Sequence, residues 1–203
     1  MIPVSPQPEP HNFAINVRGP GRTFLRGLRG RTPNKKQWAN NRFWKLALDD
    51  LNSAYGGICA YSAIWVPTQC SVDHYHPKSL PPFERAYEWS NFRLASREMN
   101  AFKGDSTQVL DPFNVQTGWF ALDFTTFEVS PGDKIATNIA TAVSSTIHIL
   151  RLNDDAWVQQ RFEIVRDYSQ GHTNLAFLER RYPFIACELR RQSLHETIVG
   201  TIA

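Results

Sequence analysis

Cysteine is scarce in this chain of 203 residues, with only Cys59, Cys70 and Cys187. So small and odd a number supplies no disulfide framework, and a reducing, cytoplasmic setting is expected. No apolar run approaches the roughly 18 residues a bilayer span needs, so no membrane association is expected. The opening "MIPVSPQPEPHNF" lacks the basic start and apolar middle of a secretion signal. Acids are missing from one long stretch. Between His11 and Leu48 stand Arg18, Arg22, Arg26, Arg29, Arg31, Lys35, Lys36, Arg42 and Lys45, with no Asp or Glu among them. The net charge is only +3, so acids dominate the rest of the chain. A basic block punctuated by Gly19, Gly21, Gly27 and Gly30 suits a mobile arm on a phosphate backbone. A solvated basic surface without a partner is the plainer alternative. What is present, 42% hydrophobic and 12% aromatic residues, suffices for a packed core and excludes a disordered chain.

The first dozen residues are proline-rich and read as extended. A helix is expected from about Asn34 to Tyr55, with Trp38, Phe43, Leu46, Leu48 and Leu51 as its apolar stripe. Gly56 and Gly57 stop it. Short strands with turns at Asp111-Pro112 and Pro131-Gly132 are expected over residues 109–134. Beyond Lys134 the pattern is helical, with a break at Gly171 and another at Pro183. No internal repeat or interdomain linker stands out, and one compact unit is the simplest expectation.

The segment from residue 58 to 105 concentrates polar chemistry. "CSVDHY" reads as a strand, a proline-rich loop follows, "EWSNFRL" is extended, and "ASREMNAFKGD" is a short helix stopped by Gly104. Hydrolysis of a phosphodiester needs a hard divalent cation on oxygen ligands, a base to activate water, and a partner that orients the base. Asp73, His74, Asn91 and Asn100 are of those types. Lys103 stands three residues after Asn100, on the same helix face. Neighbours on an ideal strand point to opposite faces, so Asp73 and His74 share a site only beside a bend.

The order Asp-His, then Asn, then Asn-x-x-Lys resembles the HNH, or ββα-metal, nuclease family. "ICAYS", "DHYHPKS", "AYEWSNFRLA" and "NAFKGD" are similar to bacterial HNH proteins of the Septu and retron anti-phage type. The looser "VRGPGRTFL", "VLDPF", "WFALDF" and "TIHILRLNDDAWVQQR" extend the likeness over most of the chain. The resemblance implies an α+β fold: a ββα-metal core over 57–106 in a mostly helical chain. A basic N-terminal arm and helix over 1–56 precede it, and short strands then helices over 107–203 follow. It implies Asp73 and Asn100 as ligands of Mg²⁺ or Mn²⁺, His74 as general base, Asn91 as the group orienting it, and Lys103 as a phosphate contact. DNA is the implied substrate and an ATPase subunit of a defence complex the implied partner. Lys78, His76, Arg22, Arg26, Arg29, Lys35 and Lys36 are candidate nucleic-acid contacts.

One departure stands out. These relatives carry two cysteine pairs around a structural zinc. Here Cys59 remains, Ser62 takes the second place, and "LASREMNAFKGD" has no cysteine. One thiolate does not build a four-ligand site, so no structural zinc is expected and ordinary packing by Trp65, Phe92 and Met99 takes its place. A zinc tetrad of Cys59, Cys70, His74 and His76 is a competing assignment that would consume the proposed base. A catalytically inactive module that binds nucleic acid or a protein partner is the competing function.

Overall fold

Residues 70–104 form two strands and a helix, and local chemistry sets each boundary. Strand β1 (Cys70–His74) pairs antiparallel with β2 (Phe92–Ser96), in the register Cys70↔Ser96 to His74↔Phe92. Every residue of β2 is buried, so this strand is covered on both faces. It runs directly into helix α4 (Arg97–Lys103). Ser96 caps that helix, its hydroxyl accepting from the Met99 N–H at 3.1 Å. Gly104, at φ 50°, ends it. The strand–loop–strand–helix order read from sequence is therefore present, with Ala95 and Ser96 in β2 rather than in the helix.

The computed structural model describes residues 1–198. The chain divides into two units. One comprises Ser5–Cys59 and Val66–Thr107; the other comprises Met1–Val4, Ala60–Trp65 and the chain from Gln108 onward, in place of the single unit expected. Residues 199–203, which the 107–203 assignment includes, lie outside the described residues. The architecture is α+β, with two small antiparallel sheets among helices. No described helix is long and apolar enough to cross a membrane.

In the first unit, the basic block is helical rather than an arm. A π-helical turn (Ala14–Arg18) leads into α1 (Gly19–Gly27). Pro20 has no N–H for the i→i−4 ladder, and the widened turn stands just before it. Gly21 has a steric job: a Cβ there would lie 2.1 Å from Cγ of the Tyr87 ring, so α1 reaches that ring only through glycine. The single helix expected over 34–55 is broken in three. Helix α2 (Lys35–Asn40) starts in a capping box of Asn34 and Gln37, a 3₁₀ turn covers Phe43–Ala47, and α3 spans Leu48–Ala54. The break lies at Asn41, whose side chain donates to the Gln37 carbonyl while its own carbonyl accepts from the Tyr87 hydroxyl. On a continuous helix Trp38 and Trp44, six residues apart, would face widely different directions. The break lets both pack on Tyr87, at 6.1 and 5.8 Å between ring centres.

In the second unit, β3 (Phe120–Leu122) pairs antiparallel with β4 (Val129–Pro131). Helices α5 (Thr137–Ile149), α6 (Asp155–Ser169), α7 (Leu175–Arg181) and α8 (Pro183–Arg191) follow. Gly171, at φ 75°, follows α6, and Pro183 opens α8, as the sequence suggested. Buried Glu188 ties α8 to the sheet, accepting from the Leu122 N–H and pairing with Arg191.

Candidate active site

His74 ends β1 with its ring edge-on to Trp44 and Phe92, at 4.9 and 5.4 Å between centres. Its Nε2 lies 3.0 Å from the Ala86 carbonyl oxygen. A carbonyl only accepts, so the hydrogen of the neutral ring sits on Nε2 and the lone pair on Nδ1. Burial lowers the imidazole pKa to about 3, with the Lys78 and then the Lys103 ammonium adding to the effect and the Ala86 bond opposing it. His74 is therefore neutral at pH 7.

That neutrality has a sign that can be measured. Between about pH 6.5 and 3 the unfolded chain protonates this histidine and the folded chain does not. Stability should therefore fall with pH through that window, by up to about 1.4 kcal/mol per unit, and gain nothing above it. Urea unfolding at stepped pH, with His74→Gln as reference, should show the wild type losing more stability than the variant between about pH 6.5 and 5. Parallel curves would show that the folded state binds this proton as readily as the unfolded chain.

Asn91 does not touch the imidazole. Its Oδ1 accepts from the His76 N–H at 2.7 Å, and its Nδ2 donates to the His76 and Arg85 carbonyls, both at 3.0 Å. It thus pins both ends of the 76–85 loop, one beside His74 and the other beside Ala86, whose carbonyl holds the ring. Asn91 is a positioning residue one step removed from the base.

Lys103 and Asp73 form a buried pair. Their side chains are 0% and 2% exposed, and the Lys103 ammonium donates to Asp73 Oδ1 at 3.1 Å and to the His74 carbonyl at 2.9 Å. Lys103 is not in the position expected of a phosphate contact. Asn100, on α4, donates its amide to Ser71 Oγ at 3.0 Å and to the Val72 carbonyl at 3.2 Å. Those bonds fix α4 on β1 and leave the Asn100 carbonyl oxygen outside them.

His74 and Asn100 line one open cleft of about 1250 Å³. Five cations line it as well: Lys35, Arg42, Lys45, Lys78 and Arg97. Asp105 is the acid on its wall. Asp73, Asn91 and Lys103 are buried and do not line the cleft. Lys35 and Lys78 are among the candidate contacts, Arg42 and Lys45 belong to the basic block without being singled out, and Arg97 is an addition. The spacing Arg97 to Asn100 on one helix face was the available signal for Arg97. Nothing in the sequence marks Ala86, since every residue offers a carbonyl.

The remaining candidates scatter. His76 Nε2 lies 3.1 Å from the Pro81 carbonyl oxygen. Arg29 and Lys36 are exposed and line neither the cleft nor the neighbouring depression. Arg22 and Arg26 line that depression. The acid-free stretch is not free of acids in space: Glu88 pairs with Arg22 and Arg18, both at close to 2.9 Å, and Glu9 pairs with Arg18. No protein-family model matches the chain, and no curated protein matches it significantly. Function rests on the site.

Among the described residues, no three His, Cys, Asp or Glu gather as a metal-binding group. The zinc tetrad is not assembled, and three of its four members are engaged elsewhere. Cys59 Sγ accepts from the Ser96 N–H at 3.3 Å, and the two imidazoles lie on the Ala86 and Pro81 carbonyls.

Proposed function

We propose that the chain is a metal-dependent endonuclease of the HNH kind that hydrolyses DNA phosphodiesters. The observation that carries this reading is His74: a neutral imidazole, its Nε2 fixed on a carbonyl, in a cleft bearing five cations. By type, the Asp73 carboxylate and Asn100 amide oxygen are what Mg²⁺ or Mn²⁺ takes; Asn100 lines the cleft, whereas Asp73 would serve the ion only on release from Lys103. When bound, that ion supplies charge neutralisation at the scissile phosphate and the leaving oxygen.

The chain's own residues do the rest. His74 Nδ1 takes the proton of the attacking water, and the Ala86 carbonyl keeps the ring in the tautomer that allows it. A phosphate arriving beside Lys78 offsets one cationic cause of the low pKa, so Nδ1 gains proton affinity when substrate is present. Arg97, Lys45, Arg42 and Lys35 hold flanking phosphates. By the same family likeness, the setting is a bacterial cytoplasmic anti-phage complex with an ATPase partner.

A second reading, nucleic-acid binding without hydrolysis, has one observation in its favour. The Lys103 ammonium already neutralises Asp73, the proposed metal ligand. Supercoiled plasmid separates the two. Nicking with Mn²⁺ or Mg²⁺ that EDTA abolishes is the expected result. Binding without nicking in either metal, with the ATPase partner supplied, would overturn the nuclease reading.

A further inference from the structure

We infer that the cleft above His74 is one end of a longer phosphate track, and that its occupant is a nucleic-acid strand rather than a mononucleotide. As a statement of substrate class, this rests on the nuclease reading. A second depression, of about 430 Å³, is lined by Arg22, Arg26 and Arg31, by the half-buried Leu25 and Phe83, and by one acid, Glu84. The two hollows abut. Gly30 and Arg31 line one, and the next residues, Thr32 to Lys35, line the other. Trp38 of the first and Phe83 of the second stand edge to face, 6.4 Å between ring centres. A strand leaving the His74 cleft over the 30–35 turn therefore meets cations again.

Their placement favours a polyanion over a merely solvated face. Arg22 and Arg26 share one face of α1 at i,i+4, a spacing at which like charges repel, and no acid on that helix relieves them. Arg22, though exposed, pairs with Glu88, so Arg26 and the exposed Arg31 carry the charge left to a ligand. The Arg31 Nε donates to the Leu28 carbonyl at 3.1 Å, which anchors the guanidinium at the rim. Cations on the rim above apolar side chains match a sugar–phosphate strand, which offers charge on one edge and apolar sugar and base faces on the other.

The test is binding by fluorescence anisotropy in EDTA, where cleavage does not intervene. The probes are single-stranded DNA of about 4 and about 16 nucleotides, a duplex of the longer sequence, and polyglutamate. The variant Arg26→Gln/Arg31→Gln should bind the longer strand about tenfold more weakly. It should also lower the slope of log K against log salt by about 1.4 on single strands or about 1.8 on duplex. The shortest strand should not distinguish it from wild type. Arg29→Gln/Lys36→Gln removes the same charge outside both hollows and should change the slope less. Circular dichroism and thermal melting confirm that these surface variants fold. An unchanged slope in the first variant, an equal loss in the second, or polyglutamate binding as tight as DNA would overturn the track. A chain that shows the length dependence but never cleaves keeps the track and loses the nuclease reading. One that cleaves with the slope unchanged does the reverse.

Discussion

His74→Ala should abolish cleavage while leaving DNA binding nearly intact. Positioned proton transfer contributes about 10²- to 10⁴-fold to such reactions, and the loss should fall in kcat rather than KM. The cleft's charge comes from Lys35, Arg42, Lys45, Lys78 and Arg97, none of which the substitution removes. The ring also fills space between Trp44 and Phe92, so some stability will be lost with it. His74→Gln, closer in volume and without a basic nitrogen, should show the same kinetic loss with less destabilisation. Equal activity in wild type and both variants would remove His74 from the reaction. A parallel fall in binding would assign it to substrate recognition.

The largest stability effect is expected at Lys103. Lys103→Met keeps the length of the side chain and removes the ammonium from a carboxylate that is 2% exposed. Taking one partner from a buried ion pair costs about 3–5 kcal/mol, a large fraction of a small protein's stability. The His74 carbonyl loses the same donor, so the strand end that carries the base should loosen too. Asp73→Asn/Lys103→Met, which removes both charges, should recover much of that loss in urea unfolding. If Lys103→Met melts like wild type, the ammonium is not held against Asp73 in solution and is available to phosphate, as the family likeness implied.

The legible and illegible parts of the site differ in kind. Strand, loop, strand and helix are readable because Gly104 and the proline-rich loop act locally, while the Ser96 cap falls inside the segment read as helix. Asn100 reads as helix-borne, and α4 carries it to the cleft wall. The Lys103–Asp73 pair spans thirty residues of sequence and is set by how α4 lies on β1, which no local pattern reports. Asn91 was assigned to the imidazole by its type, yet its three bonds go to backbone, and backbone partners leave no trace in sequence. The break at Asn41 has no local marker: Trp38, Phe43, Leu46, Leu48 and Leu51 read as one imperfect stripe, and the need to bring Trp38 and Trp44 together on Tyr87 arises only in the folded chain. Absence of acids in sequence suggested a free basic arm, and Glu9 and Glu88 undo that by folding.

The most direct test of the central claim is the chemistry of the product ends. Water activated at His74 and departure of the 3′ oxygen leave a 5′-phosphate and a 3′-hydroxyl. Plasmid nicked by the purified chain with Mn²⁺ should therefore be resealed by DNA ligase without prior end repair, and His74→Ala should yield no nicks to reseal. Nicks that ligase cannot close until a 3′-phosphate is removed, or nicking undiminished in His74→Ala, would contradict the account.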